Sequence, residues 1–226
     1  MEILAVDRFV SKEFQVAESI KILRTNLMFS GTDIQVIGVT SFNASEGKTS
    51  ISFQLAASLA QTGKRVLLLD ADLRNSTLQN RLKVRGKVNG LSHYLSGMAN
   101  ADELIYTTDV ANLYILFAGI RVPNSVELLG SNQFKKLVPA LRKVFDYVIV
   151  DTAPLGLVID CAVIAPELDG TAIVIDTTNN SYNQERQLKR QLEKSGGKIL
   201  GVILNRMEQK KKPYGRGGYG YGEEWK

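Results

Sequence analysis

The sequence predicts an α/β fold, a doubly wound, mostly parallel sheet with helices on both faces. Three observations carry this. Strand-like apolar runs alternate with segments of helical periodicity along most of the 226 residues, and such alternation implies parallel crossovers. The runs are continuously apolar, as strands covered on both faces are. Three of them lead into charged chemistry: Gly47-Lys48-Thr49 after the first, Asp70 and Asp72 after the second, Asp151 at the end of the third. Ligands in doubly wound sheets sit at the carboxyl ends of the strands.

The elements follow in order. Residues 1–33 precede the first core strand, and 13–29 read as an amphipathic helix. Val16, Ile20, Leu23 and Leu27 lie at helical spacing, and Glu18, Lys21 and Arg24 occupy the other face. Residues 34–39 form the first strand. The helix over 49–61 buries Ile51, Leu55 and Leu59 and stops at Gly63. The second strand is 66–70, and further strands are expected at 113–118, 147–151, 171–176 and 198–204. Helices are expected at 132–144 and 182–194, with short ones near 90–97 and 157–166. The core domain thus spans 34–209, and 210–226 form a flexible, tyrosine-rich tail.

The first strand runs into Thr40-Ser-Phe-Asn-Ala-Ser-Glu-Gly-Lys-Thr49. A Gly-Lys-Thr between strand and helix lays backbone N–H groups and a helix N-terminus around a phosphate chain. Lys48 reaches the outer phosphates and Thr49 offers its hydroxyl to Mg2+. Phe42 stands where the usual pattern has its first glycine. Asp70 and Asp72 lie two apart, so an extended chain would point both to one face, where a cation or a shared proton must offset their repulsion; a solvated turn is the alternative, since Asp is common after strands. Asp151 ends another apolar strand, the position of the acid that holds the metal's water shell in P-loop proteins. An ordinary strand–turn–helix connection explains the first segment alone, but not all three in this order.

Composition excludes several classes. With 44% hydrophobic and 23% charged residues the chain reads as one soluble globular domain. It has no apolar run of membrane-span length and no signal-peptide pattern. The single cysteine, Cys161, fits a reducing cytoplasm and reads as a small buried hydrophobe, and the single His93 reads as a helix-surface residue. Neither points to a zinc site or a Cys/His nucleophile. Of the net charge of +5, residues 210–226 contribute +3 (five Lys or Arg against Glu223 and Glu224), leaving +2 for the body. The body therefore gives little reason to expect nucleic-acid binding. The tail carries five glycines between 215 and 222 and three of the eight tyrosines, Tyr214, Tyr219 and Tyr221. A tyrosine on a glycine-rich leash reaches a neighbouring active site, while a sticky low-complexity tail or a stacking tail for single-stranded nucleic acid fits the composition equally.

These motifs together resemble the bacterial protein-tyrosine kinases of capsule and exopolysaccharide synthesis, of the type whose cytoplasmic kinase is a separate chain from its membrane adaptor. The resemblance covers nearly the whole chain. The family's Walker A end is seen as Glu46-Gly47-Lys48-Thr49, its second acidic motif as Leu67-Leu-Leu-Asp70-Ala-Asp72-Leu-Arg74, and its Walker B as Val148-Ile-Val-Asp151-Thr-Ala-Pro154. The segment from Pro123 to Ser131 and the tyrosine cluster also match. The family's oligomerisation motif, Glu-x-x-Arg-x-x-Arg, reads Glu18, Lys21, Arg24 here, keeping the charge but losing one bidentate fork. The related partitioning ATPases carry a signature lysine that would fall at Asn43.

The resemblance implies a P-loop NTPase fold of the partitioning-ATPase-like type and a tyrosine kinase using ATP and Mg2+. Lys48, Asp70, Asp72 and Asp151 would be catalytic. Ser45, Glu46, Gly47, Lys48, Thr49 and Ser50 would hold the nucleotide phosphates and Asn205 the adenine. Thr49, Asp72 and Asp151 would hold the metal. Tyr214, Tyr219 and Tyr221 would be phosphorylated in trans within a ring of copies. A transmembrane adaptor would activate the kinase and recruit it to the inner face of the cell membrane, and a tyrosine phosphatase would reverse the reaction. A P-loop switch ATPase without kinase activity is the alternative, and a partitioning-type ATPase with a nucleic-acid-binding tail the third.

Overall fold

The computed structural model describes residues 3–31, 33–179 and 181–207. The tyrosine-rich tail with Tyr214, Tyr219 and Tyr221 lies outside the described residues, as do residues 208 and 209 of the expected core domain. The strands are β1 (Val36–Ser41), β2 (Val66–Asp70), β3 (Ile105–Thr107), β4 (Leu113–Leu116), β5 (Tyr147–Asp151), β6 (Gly170–Asp176) and β7 (Ile199–Asn205). The helices are α1 (Phe14–Phe29), α2 (Lys48–Ala60), α3 (Leu78–Arg81), α4 (Leu91–Leu95), α5 (Ser125–Leu129), α6 (Asn132–Arg142), α7 (Asp160–Ile164) and α8 (Tyr182–Lys194).

The seven strands lie in the order β3-β4-β2-β5-β1-β6-β7. Every pairing is parallel except β3 with β4. The apolar runs of β1, β2, β5 and β6 are continuous because both faces are covered, whereas β7 is an edge strand with Val202 and Leu204 exposed. Ile37, Val39, Leu68 and Ile149 pack in one cluster with Leu55, Ala56 and Leu59 of α2. Their neighbours in sequence, Val36, Leu69, Val148 and Val150, pack in the opposite cluster with Phe134, Leu137 and Leu141 of α6. α8 covers the β6 side through Leu188 and Leu192.

The sequence did not announce β3, a three-residue edge strand with half-buried residues and too short a pattern to read. His93 is half-buried rather than a plain surface residue, because its Nδ1 accepts from the Gly90 N–H at 3.1 Å. Cys161 is buried and free, as expected. α1 lies against α2, and Leu4, Val6 and Leu27 join the main core cluster, so the described part of segment 1–33 is also a layer of the core. Arg24 departs from the expected polar face. Its Nη1 donates to Ser58 O at 2.9 Å and Ser58 Oγ at 3.1 Å on α2. Lys21 pairs with Glu18 at 2.7 Å on the exposed side. Among the described residues no helix is long and apolar enough to cross a membrane.

Candidate active site

The parallel register brings the predicted residues to one edge of the sheet. Asp70 of β2 lies directly beside Asp151 of β5, and β5 neighbours β1, from which the loop 42–47 leads into α2. The loop is built for close approach. Gly47 has φ +97°, and a Cβ there would meet Asn205 Nδ2 at 2.2 Å. The Glu46 carboxylate, 3% exposed, accepts from the Phe42 N–H and from Asn43 Nδ2, both at 3.1 Å. The side chain of Glu46 therefore braces the loop, and only its backbone remains for a ligand. Phe42 in place of glycine is accommodated because Gly156 leaves room beside its ring.

Lys48 is 7% exposed, and its Nζ donates to Ser41 Oγ at 3.0 Å. Burial lowers its proton affinity, while Asp151, Asp72 and Glu46 pull the other way. Asp151, 2% exposed, is pushed up to about 6 by burial, against the hydroxyls of Thr49 and Ser52 and the charge of Lys48. Asp70, 1% exposed, is pushed well above the ordinary carboxylate range by burial and by Asp151. The Ser76 hydroxyl donates to Asp70, as does the Asp72 N–H at 3.1 Å.

Asp72 corrects the expectation of two carboxylates on one strand face. The strand ends at Asp70, and Asp72 lies in the following turn, where its Oδ1 accepts from the N–H groups of Arg74 (3.2 Å) and Asn75 (2.9 Å). A short aspartate side chain competes with the strand ladder for those donors. Asp72 consequently lines a cavity of about 210 Å3 together with Lys48, Thr49, Arg74, Arg81 and Pro154, while the buried Asp70 and Asp151 do not line it. A larger groove of about 940 Å3 between α8 and β7 has none of these groups and lies away from the loop.

Of the other expected residues, Ser45 lines the cavity, and exposed Ser50 accepts from Arg81 Nη1 at 2.8 Å. Asn205 is at the loop, its Nδ2 donating to Glu46 O at 2.8 Å. Glu18, Lys21 and Arg24 are on α1, outside the cavity. Sequence reasoning missed the two cavity arginines as partners. Arg74 Nε donates to both oxygens of Asp160 (3.1 and 3.0 Å), an aspartate only 1% exposed. The DxDxR spacing pointed to Arg74, but nothing local points to Asp160, 86 positions away.

The donor set suits a hard cation. Thr49, Asp72 and Asp151 offer oxygen, the ligand type that Mg2+ takes. Among the described residues no group of three or more His, Cys, Asp or Glu is placed to hold a metal by itself. A cation here would complete its shell from phosphate and water, which is how Mg2+ is commonly held. Two adjacent buried carboxylates also need positive charge nearby to remain ionised together.

The AAA domain family matches residues 34–200 of the chain. The tyrosine-protein kinase CpsD of Streptococcus agalactiae is 39% identical over 216 residues, covering 95% of this chain and 94% of that protein. The kinase domain of the Escherichia coli tyrosine kinase ETK superposes with a TM-score of 0.84 at 30% identity, over 100% of this chain and 86% of that one. The septum site-determining protein MinD of Pyrococcus horikoshii, solved with Mg-ADP, has a TM-score of 0.65 at 24% identity, over 76% and 70% of the two chains, a likeness of fold.

Proposed function

The chain belongs to the bacterial tyrosine-protein kinases, and from that premise we propose that it transfers the γ-phosphoryl group of ATP to tyrosines of its own C-terminal cluster in a neighbouring copy. The observation that carries the reading is the convergence of Lys48, Thr49, Asp72 and Asp151 at the carboxyl edge of the sheet, in a chain that also carries Tyr214, Tyr219 and Tyr221.

Phosphoryl transfer is mostly positioning and charge stabilisation. The loop N–H groups of 43–49 and Lys48 hold the ATP phosphates. Thr49 and Asp151 would hold Mg2+, with Asp72 assisting. The metal, when bound, neutralises charge developing on the phosphate oxygens. The acceptor tyrosine oxygen forms the new P–O bond, the bond between the γ-phosphorus and the bridging oxygen breaks, and ADP leaves. The tyrosine proton goes to the Asp70–Asp72 pair. Asp70 suits that task because burial raises its proton affinity. Asn205, beside the loop, contacts the adenine.

Each added phosphate brings roughly −1.5 to −2 charges to the tail, reversing its basic balance and repelling it from the carboxylates. A ring of copies joined through Glu18, Lys21 and Arg24 of α1 would then loosen and reassemble as a phosphatase removes the groups. A transmembrane adaptor activates the kinase at the inner membrane face, and the cycle regulates capsular or exopolysaccharide synthesis and export.

The test is intact mass and tyrosine-phosphopeptide mapping after incubation with Mg-ATP, with a cytoplasmic adaptor segment present. Phosphate on Tyr214, Tyr219 or Tyr221, absent in Lys48→Met, is the expected result. Steady ADP release with no phosphotyrosine would instead make the protein a switch ATPase. Mixing Lys48→Met with active chains distinguishes trans from cis, since only trans transfer labels the inactive tail.

A further inference from the structure

The phosphate loop is held from outside by the end of β7. Asn205 Nδ2 takes Glu46 O at 2.8 Å, and Arg206 Nη2 takes the preceding carbonyl, Ser45 O, at 2.9 Å. Two consecutive carbonyls are thus captured from one side. Arg206 is itself fixed, since its Nη1 donates to the Asp176 carboxylate at the end of β6. Asp176 is 3% exposed, and its Oδ1 also accepts from the Thr178 N–H at 3.0 Å and hydroxyl at 2.7 Å.

Two facts give this clamp a direction. A peptide unit is planar and trans, so its N–H points opposite to its C=O. Fixing the Ser45 and Glu46 carbonyls toward β7 therefore aims the N–H groups of Glu46 and Gly47 the other way. Ser45, Gly47, Lys48 and Thr49 line the cavity, whereas Asn205 and Arg206 do not. The second fact is backbone conformation. Ser45 (φ +65°) and Arg206 (φ +56°) are both left-handed without being glycine. Such residues persist where the surroundings hold them.

We infer that Arg206, anchored by Asp176, is a positioning residue that presets the phosphate loop, holding Ser45 O so that the Glu46 N–H faces the nucleotide phosphates. This rests on the reading that the loop holds ATP. Arg206 touches no substrate and acts through Ser45. Two parallel donors are what the role needs, because one guanidinium spans the carboxylate and the carbonyl at once and an ammonium point charge does not.

The test titrates the full chain with a fluorescent ADP analogue and Mg2+, and follows hydrogen exchange of the Glu46 and Gly47 amides without nucleotide. Arg206→Met is expected to weaken binding about ten- to a hundredfold, the range of a lost charge-assisted hydrogen bond, and to speed exchange at both amides. Arg206→Lys recovers part of the affinity. Asp176→Asn weakens binding by a smaller factor, because Arg206 keeps Ser45 O but loses its anchor. Binding by Arg206→Met within about twofold of the parent, with unchanged exchange, overturns the inference. So does a variant that loses thermal stability yet binds like the parent, since that is a purely structural role. If Arg206→Met does not fold, parent-like affinity in both Arg206→Lys and Asp176→Asn overturns it. Failure of the parent itself to bind nucleotide would instead sink the underlying functional reading, and the inference with it.

Discussion

Asp169 offers a stability test at the edge of the sheet opposite the active site. It immediately precedes β6, and its carboxylate joins three elements. Oδ2 accepts from the N–H groups of Gln35 (2.8 Å) and Val36 (2.7 Å) at the start of β1 and from Arg142 Nη1 (2.7 Å) on α6, and Oδ1 accepts from Arg142 Nη2 (2.8 Å). Asp169→Ala removes all four. The two part-buried backbone donors contribute about 1 kcal/mol each. The arginine pair, with side chains 28% and 19% exposed, contributes about 1 kcal/mol after discounting for solvent. The expected loss is about 3 kcal/mol, or about 6–12 °C in midpoint for a chain of this size. Its pH dependence is specific. Burial pushes the Asp169 carboxyl up, but the Arg142 guanidinium and the Val36 and Gln35 N–H groups outweigh it, and the folded value lies below the usual 3.8. Stability from a lowered carboxylate is fully present above the unfolded value and lost as pH falls through the folded one. The gap between parent and variant should therefore be constant above about pH 5 and shrink below about pH 4. Urea titrations across that range, with nucleotide affinity at neutral pH as control, check both arms. A gap under about 1 kcal/mol at neutral pH, a gap insensitive to acid, or an altered nucleotide affinity would refute the reasoning.

Four further outcomes follow from the site. Lys48→Met, which keeps the volume and removes the buried cation, should lower nucleotide affinity at least about a hundredfold with the fold retained; titration of a fluorescent nucleotide beside a thermal melt checks this. Gly47→Ala places a methyl 2.2 Å from Asn205 Nδ2 at φ +97°, so about 1–2 kcal/mol of backbone strain should appear as weaker nucleotide binding, and parent-like binding would contradict the loop geometry. Asp160→Asn takes the charge partner from Arg74 and should destabilise by about 1–3 kcal/mol in urea, with a raised KM for ATP. Replacing Tyr214, Tyr219 and Tyr221 together by Phe should abolish phosphate incorporation and leave nucleotide affinity unchanged.

The parts of this molecule legible in the sequence are those where one local pattern has one physical cause. Continuous apolar runs marked β1, β2, β5 and β6 because a strand covered on both faces has no polar side to show. Gly-Lys-Thr and the strand-end acids marked the site because each follows its strand within a few residues. What escaped reading depends on contacts distant in the chain. Arg74 finds Asp160 86 positions on, Arg81 finds Ser50 across 31, and Arg206 finds Asp176 across 30. None of these pairs has a spacing that a sequence pattern could register. Asp72 illustrates a subtler limit. Its spacing from Asp70 suits an extended strand, but the strand ends at Asp70 and the Asp72 side chain captures the N–H groups of Arg74 and Asn75 in a turn.

That termination determines how charge is arranged in the site. Had the strand continued, Asp70, Asp72 and Asp151 would have crowded one buried patch with Lys48 as their cation. Instead the turn moves Asp72 into the cavity beside Arg74 and Arg81. Asp70 remains against Asp151, where the Ser76 hydroxyl donates to it. Burial raises the proton affinity of both buried carboxylates, and Lys48 offsets it at Asp151. The open aspartate keeps company with arginines that also attract phosphate oxygens. A doubly wound sheet supplies the two strand ends side by side, and the turn after β2 divides one acidic motif into a buried half and an open half. The two aspartates of the motif are therefore not interchangeable. Asp70→Asn should act mainly on the step that moves a proton, and Asp72→Asn mainly on the Mg2+ dependence of nucleotide binding.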